Sequence, residues 1–290
     1  MLKINWITGG KVSENWAYGN NCRNLIKNLP EFQHEIDCQI DDNDFIVYFD
    51  PLLFYKKNKL FKKSKHVVRF GGIRPFKILT EKFKIFPYEL IKTANHCVPV
   101  NTFLSTFAKD TYNCTIIPNG IDLDLFHVTE MPKVFTIGFS GNIQTKEQID
   151  WKGYKFVQEA ARLLKTELLV AKRSNQEILH KDMCEMFYSK ISCLVLPTRG
   201  EGCSNTIGEA LACGVPVIMT HNNCYHSELS NQNEVIYCLR RTDDIIYWIK
   251  MLKDDKGLQK ALVESGRRFV ESKQDIKKVA EKWLQMFKSL

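Results

Sequence analysis

The chain has no run of apolar residues near the eighteen or so that would cross a bilayer. Its opening stretch, Met1–Trp6, is too short an apolar segment for a signal peptide and reads as a strand. Ten cysteines are present, yet no two stand at C-x-x-C spacing, so neither a zinc ribbon nor a dithiol redox motif is written in the sequence. Several of them (Cys114, Cys193, Cys213, Cys238) fall in expected strands or helices. Buried, reduced thiols and a cytoplasmic location are the reading that follows, with the periphery of a membrane left open. There is no G-x-G-x-x-G to bind a dinucleotide, no legible Ser/His/Asp order, no internal repeat and no low-complexity tract. The histidines are scattered; His221 and His226 flank Cys224 but read as a polar loop.

What is present is an alternation. Short β-branched and aromatic runs at Lys3–Thr8, Ile36–Ile40, Phe45–Phe49, His66–Phe70, Cys97–Val100 and Cys114–Ile117 read as strands, with helices over Asn21–Leu29 and Thr102–Tyr112. After a linker at Asp122–Lys133, which contains Pro132, a second alternation starts. It comprises strand Phe135–Phe139, helix Gly153–Lys165, strand Glu167–Ala171, helix Ile178–Tyr188 and strands Cys193–Leu196, Val215–Met219 and Val235–Cys238. Helices Asp243–Leu252, Gly257–Glu271 and Ile276–Phe287 close the chain. Strands alternating with helices mean parallel sheets, so the expected class is α/β with two Rossmann-like domains.

The most informative stretch is Cys193–Thr220. A buried strand ends at Pro197, a polar loop carries Gly200, Gly202, Ser204 and Asn205, a short helix follows, and Gly214 stops it. Ser204 or Asn205 can cap that helix. A strand feeding a glycine-bearing loop into a helix start is an anion site, because the first helical N–H groups have no partner within the helix. Two carboxylates frame it, Glu201 in the loop and Glu209 on the helix. Carboxylates accept hydrogen bonds from hydroxyl groups and do not bind phosphate, so the pairing suits a ligand with both a phosphate and a sugar. A turn glutamate and a solvated helix glutamate are the plain alternative.

Glu201 and Glu209 with seven residues between them, set in P-T-R-G-E-G and E-A-L-A-C-G-V-P-V-I, resemble the donor-site signature of the family 4 (group 1) retaining glycosyltransferases of GT-B fold. Three further segments are similar to that family in the expected order: Pro118–Asp122 followed by Phe126, Gly138–Asn142 followed by Lys152 and Gly153, and Glu185–Ser192. The resemblance covers residues 95–225 and fades over the first 90. It implies two Rossmann-like domains facing across a cleft, the first one small. The corresponding division is an acceptor-side domain over 1–124, a donor domain over 125–272, and a terminal helix over 273–290 packing back toward the first.

The resemblance also implies roles. Lys152, at the start of the expected helix, would neutralise the donor diphosphate, and Glu201 would contact sugar hydroxyls near the anomeric centre; these two are the catalytic candidates. Glu209 would grip the nucleotide ribose, and backbone N–H groups of Gly202, Cys203, Ser204 and Asn205 would contact phosphate or sugar. Where the family usually has an arginine, this chain has Asn142, and Arg173 or Lys172 is the substitute cation. Gly9-Gly10, at the end of the first strand, could let backbone approach the donor phosphate, or form only a turn. The histidine many relatives carry is replaced by His66–Arg74, leaving Arg69 and Arg74 as contacts for an anionic acceptor. Asp122 and Asp124 lie in a linker and are not read as metal ligands, and neither a metal nor a cofactor is expected.

Charge is uneven. Between Pro51 and Asp110 there are thirteen basic residues against three acidic ones, within a chain of net charge +8. Tyr55–Arg69 interleaves lysines with Phe54, Tyr55, Leu60 and Phe61, which suits anionic lipid or a nucleic-acid phosphate backbone as well as a plain solvated face. The activity that the resemblance implies is retaining transfer of a sugar from a nucleotide-sugar donor to an acceptor hydroxyl, and a glycan, lipid-linked or nucleic-acid acceptor is expected. A sugar-nucleotide epimerase and a non-catalytic nucleotide-sugar-binding module are the alternatives.

Overall fold

The computed structural model describes residues 1–10, 17–108, 113–172, 178–221 and 228–290. The chain forms two compact units, one of Met1–Gly120 with Ile276–Leu290, the other of Ile121–Asp275.

The first unit is built on β1 (Lys3–Ile7), α1 (Ala17–Lys27), β2 (Gln33–Ile36), β3 (Phe45–Tyr48), α2 (Pro51–Lys57), β4 (Lys65–Phe70), α3 (Arg74–Phe83), α4 (Pro87–Ile91), β5 (His96–Pro99) and the single turn α5 (Thr102–Ser105). Its strands pair in parallel in the order β2-β1-β3-β4-β5. The continuous apolar run of β3 and the burial of Val67–Phe70 in β4 follow from this, since a parallel sheet is covered on both faces. Strand β2 lies three residues earlier than the sequence suggests, because Asp37 takes a left-handed φ of 52° and ends it. Cys114 contributes only an isolated bridge to Cys97, not a full strand. Helix α2 was not anticipated; Asp50 caps it by accepting from the Leu53 N–H at 2.8 Å, and Pro51 starts it.

The second unit holds β6 (Thr136–Gly141), α6 (Lys146–Lys152), α7 (Tyr154–Leu164), β7 (Glu167–Lys172), α8 (Met183–Met186), β8 (Cys193–Leu196), α9 (Asn205–Ala212), β9 (Val217–Thr220), β10 (Ile236–Cys238), α10 (Thr242–Asp254) and α11 (Lys256–Lys273). Its parallel sheet runs β10-β9-β8-β6-β7. The chain leaves β6 to one side for β7 and returns to the other side for β8. The order therefore switches between β6 and β8, and in open α/β sheets the ligand crevice lies beyond the carboxyl ends of the strands at that point. The helix expected over Ile178–Tyr188 is broken into the short α8 between two 3-10 turns, His180–Asp182 and Tyr188–Lys190, where Phe187 leaves helical geometry at φ −131° and both it and Tyr188 become fully buried.

The last helix, α12 (Ile276–Ser289), belongs to the first unit. Its buried face, Ile276, Val279, Ala280, Trp283, Met286 and Phe287, follows the spacing of an amphipathic helix. That face joins the core made by β1 and β3. The Trp283 ring meets Trp6 edge-on at 5.8 Å, and Phe287 lies 4.9 Å from Phe45.

Candidate active site

The site is assembled by the loops that leave β6 and β8. After β6, Thr145 and Gln148 form a capping box that starts α6, and Gly153 ends it in a left-handed turn at φ 70°. A side chain at Gly153 would collide with the Pro197 carbonyl, so glycine is what lets α6 and the β8 loop approach. Lys152 thus sits on the last turn of α6, not at the start of α7 as the sequence suggests. Its aliphatic stem runs past Gly141, where an added Cβ would lie 3.7 Å from Lys152 Cδ.

The ammonium of Lys152 is paired with Glu201 Oε1. Both side chains are partly exposed, at 27% and 18%. The loop bearing Glu201 is braced from outside. Arg240 donates to the carbonyls of Pro197, at 3.0 Å, and Asp150. Arg199 Nε donates to Asp150 Oδ2 at 3.1 Å, and this bond, followed by the charges of Arg199 and Arg240, holds the Asp150 carboxyl below its ordinary pKa.

Helix α9 starts where the sequence places it, with Ser204 at the N-cap, but the Ser204 side chain makes no capping bond. Gly202, Cys203 and Asn205 are buried beside it, and Cys203 Sγ accepts from Gln274 Nε2 at 3.1 Å. Glu209, one turn into α9, is 1% exposed. Its Oε1 lies 3.0 Å from His180 Nε2, and its Oε2 accepts from the Tyr188 hydroxyl at 2.8 Å. His180 and Tyr188 both pack against the Phe126 ring, at 5.3 and 6.0 Å. A buried carboxylate needs such donors, since an unpaired buried charge is costly. Neither His180 nor Tyr188 was singled out from the sequence; Tyr188 does fall inside the Glu185–Ser192 segment.

The second unit therefore carries Lys152 on the last turn of α6, Glu201, Gly202, Cys203 and Ser204 in the loop after β8, and Asn205 and Glu209 on α9. Asn142 follows β6 directly, half-buried, and its Oδ1 accepts from the Gln144 N–H at 3.4 Å. Arg173 lies outside the described residues, as do Cys224 and His226.

The remaining candidates belong to the first unit. Gly9 and Gly10 both take positive φ, 70° and 75°, after β1. Their N–H groups donate to Asp37, at 3.1 and 2.9 Å, as do the N–H and hydroxyl of Thr8, at 3.0 and 2.6 Å. The nest made by these amides thus already holds a carboxylate of the chain itself. Burial pushes the Asp37 carboxyl up, but the hydrogen bonds from Thr8, Gly10 and Gly9 outweigh it and hold the group below its usual value. Arg69 is 3% exposed, donates to Asn119 Oδ1 and stacks 5.2 Å over Phe49. Arg74 is exposed at the first residue of α3.

A sheet whose strand order switches beside a paired lysine and glutamate, with a second glutamate buried on the following helix, can be set beside known proteins. Residues 135–252 match the family of glycosyl transferases group 1. No curated protein sequence matches the chain. Among solved structures, Anabaena HepE in complex with UDP-glucose is similar over 100% of both chains, at 10% identity and a TM-score of 0.74. Sucrose-phosphate synthase from Thermosynechococcus elongatus aligns over 100% of this chain and 99% of its own, at 11% identity and a TM-score of 0.76. A glycosyltransferase from Rickettsia africae aligns over 99% and 98%, at 13% identity and a TM-score of 0.69. The fold is GT-B: two units, each with a parallel five-stranded sheet. Within it, the matched segment runs from the start of β6 through α10 and holds every candidate that the second unit gathers.

Proposed function

We propose that this chain is a glycosyltransferase that moves a sugar from a nucleotide-sugar donor to an acceptor hydroxyl with retention of anomeric configuration and without a metal. The observation that carries this is the pairing of Lys152, on α6, with Glu201, in the loop that leads into α9, with Glu209 buried on that helix.

In this reading the α9 amides and Lys152 receive the donor diphosphate. A positioned ammonium and helix start stabilise the negative charge that grows on the departing nucleotide, a contribution of about 10²–10³ in rate for one such group. Lys152 reaches that role from an existing partner, so the diphosphate would share or displace Glu201. Glu201, released toward the sugar, accepts from hydroxyl groups near the anomeric carbon. Glu209 accepts from the ribose hydroxyls, and Tyr188 and His180 hold its carboxylate in place. In this reading Lys152 and the helix start would supply the positive charge, without a divalent ion. With Asn142 in place of the usual arginine, Arg173 is the proposed second cation.

A UDP-sugar is the first donor to try, because the similar HepE structure holds UDP-glucose. On the acceptor side, the lysines of α2 and of the segment leading into β4 suit an anionic acceptor presented at a membrane surface, with Arg74 exposed nearby in sequence. Binding to anionic vesicles that falls with added salt, and exceeds binding to duplex DNA, is the expected pattern.

Incubation with UDP-, GDP-, ADP- and CDP-sugars, followed by separation of the products, tests the activity. Slow release of free sugar from one donor, and transfer with retained configuration when acceptor is added, are expected. An isomerised donor would establish the epimerase reading, and intact donor bound tightly without turnover would establish a binding module.

A further inference from the structure

At the end of α9 opposite its first turn, four side chains with metal-ligating atoms meet. Cys213 follows the last residue of α9, and its Sγ lies 3.4 Å from the Sγ of Cys184 on α8. Cys184 Sγ is 4.0 Å from Nδ1 of His127, and His127 Nε2 is 3.3 Å from Oε1 of Glu185. One ligand atom each from His127, Cys184 and Glu185 fall within 4.8 Å of one another. Both thiols are buried, whereas His127 and Glu185 are more than half exposed. The cluster thus has a floor of sulfur and a rim open to water, through which an ion can enter.

We propose that His127, Cys184 and Glu185 bind one divalent ion of the zinc class, at a site separate from the donor site, with water as the fourth ligand. Tetrahedral zinc with ordinary bond lengths sets sulfur and nitrogen about 3.5 Å apart, and nitrogen and oxygen about 3.4 Å. Cys184 Sγ lies 4.0 Å from His127 Nδ1, and one ligand atom from each of the three residues falls within 4.8 Å of the others. The exposed imidazole and carboxylate would draw in by about 1 Å to close on an ion. A thiolate and an imidazole select zinc or its soft neighbours over magnesium and calcium, which take oxygen ligands.

The step is ligand exchange without redox change: one S–H bond breaks, one metal–sulfur bond forms, and one proton leaves to solvent. A disulfide between Cys184 and Cys213 would instead need contact at about 2.05 Å and an external oxidant. It would also give no role to the imidazole and carboxylate beside it. The bound ion would tie α8 to the segment carrying His127. It would stabilise the second unit in proportion to occupancy. None of this depends on the transferase reading.

The test uses the full chain, reduced with a non-thiol reagent and stripped with a chelator, then titrated with Co²⁺ as a spectroscopic stand-in for zinc. Saturation at one equivalent, thiolate-to-cobalt charge transfer with tetrahedral d–d bands, and displacement of the spectrum by zinc are expected. His127→Gln, at an exposed position that leaves folding intact, should keep the sulfur bands and weaken affinity at least tenfold. The Cys184→Ser, Cys213→Ser double variant should lose the bands, with its melting curve compared against the stripped wild type. Absence of a charge-transfer band in the wild type overturns the proposal. So does a band that survives in the double cysteine variant, or wild-type affinity in His127→Gln. If the untreated protein has two thiols fewer and the re-reduced protein takes up no cobalt, the pair is a disulfide and the metal site is wrong.

Discussion

Replacing Tyr188 by phenylalanine removes one oxygen from a buried place. Tyr188 and Glu209 are 0% and 1% exposed, and the hydroxyl donates to Glu209 Oε2 at 2.8 Å. A hydrogen bond to a charged group contributes about 1.5–3 kcal/mol, and a buried acceptor stripped of its donor costs a similar amount. The Thr206 carbonyl, 3.3 Å away, is the weaker claim on the same hydrogen and changes this little. Tyr188→Phe should therefore lower the stability of the second unit by about 2 kcal/mol. In a cycle with Glu209→Gln, the two substitutions should be non-additive by at least about 1 kcal/mol, since both break one contact. Urea unfolding followed by circular dichroism measures the four proteins, and calorimetry with UDP measures binding in each. Nucleotide affinity should fall in Tyr188→Phe as well, because the carboxylate it orients is the proposed ribose ligand. Additive effects on stability would refute the buried pair. Unchanged UDP affinity in both single variants would refute the ribose assignment while leaving the pair intact.

Lys152→Ala should cut turnover by about 10²–10³ and leave stability nearly unchanged, since a partly solvated ion pair contributes about 1 kcal/mol or less; single-turnover kinetics and a urea curve separate the two. Gly153→Ala forces a side chain into φ 70° and against the Pro197 carbonyl, so it should destabilise by about 1–3 kcal/mol and lower activity by shifting α6, read by thermal melting and donor hydrolysis. The folded Asp37 carboxyl lies below its unfolded value, near about 3.9. Its contribution is thus complete above that value and is lost as pH falls through the folded pKa. Asp37→Asn should flatten the acid limb of the stability curve, and an identical limb in both proteins would refute the Thr8–Gly10 nest.

The stretch from β8 to β9 was legible because local chemistry and tertiary placement agree there. Cys193–Leu196 is apolar throughout and is covered on both faces. Gly214 supplies the positive φ, 74°, just after the end of the helix. Helix α6 was missed because its capping box and its left-handed Gly153 stop lie inside a stretch read as loop and then as one helix. The expected helix at Ile178–Tyr188 failed for the opposite reason: helical periodicity is present, but Phe187 and Tyr188 must both turn inward, which one continuous helix does not allow.

Chain order alone told that two parallel α/β halves would form and that Glu201 and Glu209 would flank one helix start, because strand periodicity, caps and glycine stops act over a few residues. Which group each of those carboxylates meets was beyond its reach. Lys152 is 49 residues from Glu201, Tyr188 is 21 from Glu209, and Asp37 is 28 from Gly9. Pairings across such distances are set by sheet order and by the need to satisfy buried charge, and only the folded chain brings those atoms within reach of each other.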